Sequence, residues 1–124
     1  MNHPDELFYT PGHAWVLKEG ETVKIGITDY AQNQLGEILF VDLPEEGDIF
    51  DAGETFTEVE SAKTASEVPC PLSGEITAAN EELDDSPELI NEDPYANWIV
   101  ILKPADESEF DSLITADEYE ALID

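Results

Sequence analysis

The amino-acid sequence predicts an all-β sandwich or barrel decorated by two helices. Short runs rich in β-branched and aromatic residues recur along the chain, about eight or nine in all, and turn residues separate them every few positions. Val23, Ile25 and Ile27 alternate with more polar or smaller neighbours, which is the period-two pattern of a half-buried strand. Two other segments begin at a threonine that suits the N-terminus of a helix.

The first of these helices is predicted between the third and fourth strands. Thr28 is a good N-cap, and Gly36 is the type of residue that commonly ends a helix. The expected inner face of the helix consists of Tyr30, Ala31 and Leu35. Before the helix, the apolar and aromatic segment 7–16 predicts two short strands, because Pro11 and Gly12 form a turn within it.

Apolar runs after this helix predict the remaining strands. The stretch 38–43 is apolar except for Asp42, so we expect a well-buried strand. Further short strands are expected at 49–50, 75–79 and 98–102. The acidic stretch 80–88 is interpreted as a solvated face. Thr115 is expected to cap a C-terminal helix with an apolar stripe formed by Tyr119, Leu122 and Ile123.

The charge of the chain restricts its partners. The sequence has 31 acidic residues, four lysines and no arginine, and its formal net charge is −27. Such a field repels nucleic acid and anionic membranes, favours basic partners and opposes self-association, so we expect a monomer. No apolar run approaches the ~20 residues that span a bilayer, and the first residues lack signal-peptide features. We expect a cytoplasmic protein, or a mitochondrial matrix protein if the sequence is a processed eukaryotic form.

The sequence offers no catalytic or metal-binding constellation. Cys70 is the only cysteine, lies between Pro69 and Pro71, and is interpreted as a small packing residue. His3 and His13 lie far from any cysteine, and the acidic stretch contains no calcium-loop pattern, so no metal site is predicted. No glycine-rich phosphate loop or Ser/His/Asp pattern occurs. The chain is therefore expected to be non-enzymatic, with no catalytic residue.

Lys63 is the residue that the sequence singles out. It lies in the segment ESAKTASE, between predicted strands at 55–60 and 67–72. Its immediate neighbours are small, so its ammonium group is unshielded at the tip of a predicted hairpin. Glu60 and Glu67 favour the charged amine, which argues against Schiff-base catalysis but permits acylation by a separate enzyme. The alternative interpretation is an ordinary solvated surface lysine.

The motifs along nearly the whole chain resemble those of the glycine cleavage system H protein, a lipoyl carrier. The helix region carries IGITDYAQ at 25–32, and the hairpin carries ESAKTASEV at 60–68. The other matching stretches are Tyr9-Thr10 with His13 and Trp15, Leu35-Gly36-Glu37, FVDLP at 40–44, PLSGE at 71–75, SPELIN at 86–91, and Asp93-Pro94-Tyr95 with Trp98.

This resemblance implies a fold, a cofactor and a set of partners. The family fold is a hybrid barrel-sandwich of short antiparallel strands, here one lipoyl-carrier domain over residues 1–124 with a short internal helix and a C-terminal helix. Lys63 matches the lysine that bears covalently attached lipoic acid. By the resemblance, glycine decarboxylase loads an aminomethyl group, the aminomethyltransferase passes it to tetrahydrofolate, and dihydrolipoamide dehydrogenase reoxidises the dithiol. A lipoate-attaching enzyme is the fourth expected partner.

Two stretches depart from the family pattern. The family usually has His-Glu-Trp where this chain has His13-Ala14-Trp15, and the missing glutamate is a candidate for holding the loaded amine. The segment from Tyr95 to Trp98 is also shorter than the family spacing. The absent glutamate slightly favours a second hypothesis, in which the protein is a lipoate-assembly scaffold that passes the lipoyl group to other proteins.

Two further alternatives concern Lys63 itself. A biotin carrier is disfavoured, because biotinyl lysines typically lie between methionines and Met1 is the only methionine of this chain. A binding module in which Lys63 stays unmodified is the other alternative.

Overall fold

Short antiparallel strands build most of the molecule, which a computed structural model describes from residue 4 to residue 123. The strands are β1 Phe8–Tyr9, β2 Ala14–Glu19, β3 Thr22–Ile27, β4 Ile38–Asp42, β5 Ile49–Phe50, β6 Thr55–Ser61, β7 Ala65–Pro69, β8 Gly74–Ala79 and β9 Val100–Pro104. The α-helices are α1 Asp29–Leu35, α2 Glu82–Asp85, α3 Leu89–Glu92 and α4 Ala116–Ile123, and a 3-10 helix spans Glu107–Ser112.

The strands form two sheets that share one core. The larger sheet has the order β1-β2-β3-β9-β8-β5, and the smaller has the order β4-β6-β7. All of the strand pairs are antiparallel. Buried side chains of both sheets belong to the same hydrophobic cluster, which includes Val16, Ile25, Val41, Val59 and Ile76. The predicted mostly β fold is therefore confirmed.

A second, aromatic cluster attaches the C-terminal helix to the larger sheet. Tyr9 of β1 and Tyr119 of α4 are fully buried, and their rings stack with centroids 5.1 Å apart. The backbone groups of Tyr9 and Ile114 exchange hydrogen bonds of 2.8 and 2.9 Å. Trp15 belongs to this cluster too. Helix α4 is thus part of the packed structure, on the side of the sheet that carries β1 and β2.

Both predicted helices begin where their caps were expected. The Thr28 Oγ1 atom accepts a hydrogen bond of 3.1 Å from the backbone N–H of Ala31, which satisfies one free donor in the first turn of α1. Gly36 ends α1 with a φ of +81°, in the region that favours glycine. At α4, Thr115 and Glu118 exchange hydrogen bonds between each backbone N–H and the other's side chain, at 3.0 and 3.2 Å.

The prediction of a well-buried strand at 38–43 was wrong. Strand β4 leaves Leu39 54% and Phe40 46% exposed, although Ile38 and Val41 are buried. The strand lies at the edge of the smaller sheet, and its register with β6 shifts between Ile38 and Phe40. A shift of this kind turns two successive side chains toward solvent, which an apolar run alone does not reveal.

Other elements also differ from expectation. The acidic stretch contains helix α2 and leads into α3, each of which places one fully buried residue, Leu83 and Ile90, in the core. Only two helices were predicted, so these short ones were missed. Leu122 is 59% exposed and does not belong to a buried stripe of α4. Strand β7 begins at Ala65, two positions before its predicted start, and β9 begins two positions late, at Val100.

Replacing Gly26 by alanine should destabilise the fold. A Cβ atom on this β3 residue would lie 2.7 Å from ring atoms of Trp15, its partner across the β2–β3 pair. The Trp15 ring is fixed by burial and by a 3.1 Å hydrogen bond from Nε1 to the carbonyl of Pro94. Overpacking of this kind costs about 1–3 kcal/mol. Urea unfolding of Gly26→Ala should show a corresponding loss.

Gly20→Asn is the matched control for this substitution. A Cβ atom at Gly20 has no neighbour within 4 Å, and asparagine tolerates the φ of +61° found there. Equal unfolding midpoints for Gly26→Ala and Gly20→Asn would contradict the packing argument.

Candidate functional site

The hydroxyl group of Ser61 organises the loop that carries Lys63. The backbone N–H of Ser61 donates to the carbonyl of Thr64 at 2.8 Å, which closes the hairpin between β6 and β7. Its Oγ accepts from the N–H groups of Lys63 and Thr64, both at 3.3 Å, and donates to the Thr64 carbonyl at 3.1 Å. The Ser61 hydroxyl thus forms hydrogen bonds with three backbone groups of the turn. These bonds hold the backbone at Lys63 in place.

Lys63 differs from the other lysines in its position. Lys63 lies on a hairpin loop and is exposed, whereas the others lie on strands: Lys18, Lys24 and Lys103. The Lys18 amine lies 4.9 Å from the centroid of the Phe110 ring, and the Lys24 amine lies 3.4 Å from a carboxylate oxygen of Glu19. Within residues 4–123, the Lys63 amine is recorded in no ion pair. The predicted exposure of this amine on a hairpin agrees with the structure.

The end of helix α1 lies beneath the Lys63 side chain. A Cβ atom on Gly36 would be 3.5 Å from Cε of Lys63 and 3.8 Å from its amine nitrogen. The aliphatic part of the lysine therefore lies close to the backbone of Gly36. The loop after α1 and the β6–β7 hairpin, which are distant in sequence, meet at this point.

A cavity of about 230 Å³ lies between α1 and β7, next to this contact. Leu35, the last residue of α1, belongs to its wall and directly precedes Gly36. The lining combines apolar and polar side chains, among them Ile27, Tyr30, Leu35, Val68, Ser66 and His13. A chain of methylene groups that begins at Lys63 could follow Gly36 into a cavity of this composition.

His13 joins the cavity to the C-terminal helix. Its Nδ1 atom lies 2.7 Å from the hydroxyl of Tyr119, and that hydroxyl lies 2.8 Å from Oγ1 of Thr28, the cap of α1. The His13 ring also packs near Tyr30, with centroids 5.2 Å apart. Burial lowers the pKa of His13 below its usual range, so the imidazole is neutral at pH 7. His13 is thus both a packed residue of the connection between β1 and β2 and part of the cavity wall.

Ala14, the position at which the family usually has glutamate, is fully buried. It lies opposite Ile27 in the β2–β3 register, so the two side chains share a face of the sheet. Ile27 lines the cavity, but Ala14 does not reach it. A longer side chain at position 14 would start beside Ile27 on the same face of the sheet.

The other residues considered in the sequence as catalytic or metal-binding candidates form no such site in the described structure. Cys70 is buried, its thiol donates to the carbonyl of Leu72 at 3.0 Å, and burial raises its pKa to about 11, as suits a packing residue. Within residues 4–123, no group of three or more His, Cys, Asp or Glu side chains is placed to hold a metal ion. His3 lies outside the described residues. Over the same range, no helix is long and apolar enough to cross a membrane.

Two residues that shape this site were not singled out in the sequence. Ser61 lies within the lysine motif ESAKTASEV. A serine just before a turn is a recognisable signal for a hydrogen bond from its side chain to the turn backbone. Tyr119 was interpreted as an apolar residue of the final helix. Its hydroxyl contacts His13 across 106 positions of sequence, and no local pattern predicts such a contact.

The comparisons with known proteins agree over nearly the whole chain. The family model for the glycine cleavage H-protein matches residues 7–124. The glycine cleavage system H protein of Geobacillus kaustophilus is 55% identical over 124 residues, covering 99% of this chain and 98% of that protein. The one from Halalkalibacterium halodurans is 51% identical over 123 residues, covering 98% and 96%. The crystal structure of a glycine cleavage system H protein from Mycobacterium marinum has a TM-score of 0.86 and 38% identity, covering 96% of this chain and 97% of that one.

A small β domain with an exposed lysine on a rigid hairpin is a carrier rather than a catalyst. The chain belongs to the glycine cleavage H-protein family, the lipoyl carriers of the glycine cleavage system. The hybrid barrel-sandwich fold that the resemblance implied is therefore confirmed, as is the expectation of a non-enzymatic protein. The lipoate-assembly alternative is not favoured by these comparisons.

The burial of His13 predicts a specific pH dependence of stability. The unfolded chain takes up a proton at this residue near pH ~6.5, whereas the folded protein does so only at lower pH, because burial lowers the pKa. The contribution of neutral His13 is thus fully present above the unfolded value and declines as the pH falls below it. Urea unfolding between pH 8 and pH 5 should show a steeper loss for the wild type than for His13→Asn.

Asparagine is the suitable replacement because it tolerates the φ of +70° at this position. All carboxylates are common to both proteins, so the difference between the two curves reports on His13. Parallel curves across this range would contradict a neutral, half-buried imidazole.

Proposed function

We propose that Lys63 carries a covalently attached lipoyl group and that the resulting arm shuttles the aminomethyl group within the glycine cleavage system. The observation that carries this proposal is the position of Lys63, an exposed amine on a hairpin loop, while the other three lysines of the described chain lie on strands. The match of ESAKTASEV to the lysine motif of the family supports the same residue.

The local geometry suits a long arm on a rigid base. The lysyl-lipoyl unit extends about 14 Å, from summed bond lengths. Ser61 fixes the turn and Gly36 supports the first part of the lysine, so the arm swings from a defined origin. A tether of that length confines the reactive end near a docked enzyme and raises its local concentration there.

The cavity between α1 and β7 is the proposed resting place of the loaded arm. Apolar residues such as Ile27 and Val68 suit the methylene chain, and the Ser66 hydroxyl offers a hydrogen-bond acceptor to an amine. The Nε2 atom of neutral His13 offers a second acceptor in the tautomer whose Nδ1 donates to Tyr119. When attached, the lipoyl group would supply two sulfur atoms: with its ring disulfide opened, one would bear the aminomethyl group as a thioether and the other would be a thiol. The protein would shield the aminomethyl group from water and accept hydrogen bonds from its amine.

The partners proposed for this cycle are glycine decarboxylase, the aminomethyltransferase, dihydrolipoamide dehydrogenase and a lipoate-attaching enzyme. Amide formation at Lys63 removes one positive charge, so the formal net charge of −27 becomes −27 − 1, or −28. Enzymes that receive the arm are therefore expected to present basic surfaces around their active sites. We further propose a monomeric carrier of one domain, residues 1–124, in the bacterial cytoplasm, as supported by full-length bacterial relatives.

Lys63 should be the sole site of lipoylation. Incubation with a lipoate-attaching enzyme, lipoic acid and ATP should add one lipoyl mass to the intact wild-type protein and none to Lys63→Arg, which keeps the charge but cannot form the amide. Lys24→Arg is the matched control and should be modified like the wild type. A lipoyl group mapped by peptide mass spectrometry to any other lysine would overturn the assignment.

Introducing the family's glutamate should protect the loaded arm. In Ala14→Glu the side chain would start beside Ile27, which lines the cavity, so we expect its carboxylate to accept a hydrogen bond from the aminomethyl amine there. A charge-assisted bond contributes about 1.5–3 kcal/mol, so loss of ammonia and formaldehyde from the purified loaded form should slow about tenfold or more.

Ala14→Gln is the control for this change, since it adds the same bulk without charge. Position 14 is fully buried in the wild type, so a larger side chain there can disturb folding. Circular dichroism of both variants is therefore measured first, to check that they fold. Equal decay rates for Ala14→Glu, Ala14→Gln and the wild type would show that this position has no part in protecting the arm.

A further inference from the structure

Asn91 belongs to the SPELIN motif, to which the proposed function assigns no role. Its side-chain amide lies between helix α3 and the connection from α1 to β4. The Oδ1 atom accepts from the backbone N–H of Ile38 at 2.8 Å. The Nδ2 group donates to the carbonyl of Gly36 at 2.8 Å and to the side-chain oxygen of Gln32 at 2.9 Å. Both amide hydrogens are thus used, and the oxygen is used as well.

The connection held by Asn91 consists of only two residues, Gly36 and Glu37, between the end of α1 and the start of β4. Asn91 binds the backbone on both sides of it, at the Gly36 carbonyl and the Ile38 N–H. Gln32 extends the contact along α1, because its amide donates to Asp29 at 2.7 Å. A half-buried side chain therefore fixes a turn in which Gly36 has a left-handed backbone.

Two independent contacts lead from this turn to the base of the arm. Gly36 lies under the Lys63 side chain, with a would-be Cβ atom 3.5 Å from its Cε. Ile38 pairs with Ser61 in the β4–β6 register, and Ser61 holds the Lys63 turn through its hydroxyl. Asn91 binds both Gly36 and Ile38, so its three hydrogen bonds act on the support of the lysine and on the hairpin behind it.

We propose that Asn91 is a positioning residue for the Lys63 arm: its amide fixes the α1–β4 turn so that the arm leaves Lys63 over Gly36 and toward the cavity. The inference rests on the proposed function, because it concerns the lipoylated form. Leu35, the residue before this turn, lines the cavity, so the direction of the arm and the shape of the cavity wall are set together.

The test replaces Asn91 by aspartate, which keeps an oxygen for the Ile38 N–H. The ionised carboxylate has no hydrogen to donate, so it faces the Gly36 carbonyl and the Gln32 oxygen without a bond. Asn97→Asp is the matched control. The Asn97 amide donates to the carbonyls of Leu89 and Asp93, both at 2.9 Å, so this change removes two hydrogen bonds from the same helical segment and leaves the α1–β4 turn intact.

Two measurements are made on the full-length chain. In the unlipoylated protein, amide hydrogen exchange at residues 36–38 should accelerate in Asn91→Asp and stay at the wild-type rate in Asn97→Asp. In the lipoylated and loaded protein, release of ammonia should be about five- to tenfold faster in Asn91→Asp and unchanged in Asn97→Asp. This is the scale of one of the two lost hydrogen bonds, the one to the Gly36 carbonyl beside the arm.

A pH series distinguishes positioning from general loosening. The substituted carboxyl group faces carbonyl oxygens, which favour its protonated form. Below about pH 5 that form can donate to the Gly36 carbonyl again, so the rate ratio of Asn91→Asp to the wild type should fall toward one as the pH falls. If Asn91→Asp does not fold, Asn91→Ser serves in its place, because its shorter side chain removes the two amide donors without adding a charge.

Equal ammonia release from the Asn91 variant, Asn97→Asp and the wild type would overturn the positioning role and leave the proposed function intact. A pH-independent rate ratio for Asn91→Asp would also overturn it. If the loaded wild type itself released ammonia as fast as free aminomethyl-dihydrolipoamide, then the protein would not protect the arm. In that case both the cavity's proposed role and this inference would fail.

Discussion

The pairing of β6 with β7 is the constraint on which the site depends. Val59 of β6 and Val68 of β7 are buried in the shared core, and they fix the register in which Glu60 lies opposite Ala65. Side chains alternate between the two faces of a sheet, so a slip of β7 by one position would move Val68 from the core to the outer face. The position of Lys63 at the end of this hairpin therefore depends on core packing several residues away, and the Ser61 hydroxyl orders the loop itself.

The same sheet shows how the chain accommodates its charge. Asp42, Glu58 and Glu67 lie directly opposite one another across β4, β6 and β7. Partial desolvation and the neighbouring carboxylates Glu60, Glu67 and Asp42 raise the pKa of Glu58 above its usual range. Like charges at opposed positions weaken a sheet, so stability here comes from the apolar inner face. The outer face beside the hairpin is left strongly anionic, which suits contact with basic enzymes.

Sequence patterns correctly predicted structural features that depend on residues close together in the sequence. They missed features that depend on residues far apart in the sequence. The caps at Thr28 and Thr115 were correctly placed because a cap is defined within four positions. The burial of the 38–43 run was wrong because an apolar pattern carries no information about whether a strand lies at a sheet edge. The exposure of Lys63 was predictable from its small neighbours. The contacts of Asn91 with Gly36 and Ile38 span 55 and 53 positions, so no local pattern contains them.

A carrier needs a mobile arm and a fixed attachment point for that arm. In this structure different residues meet the two needs. Lys63 is exposed, whereas the backbone around it is bound by Ser61 within the hairpin and by Asn91 through the adjoining turn. Ordering the base restricts the backbone but not the rotatable bonds of the arm, so the arm loses conformational entropy only while it occupies the cavity. The polar residues around the hairpin therefore stabilise an origin rather than a single arm conformation, and this allows one lysine to serve several active sites.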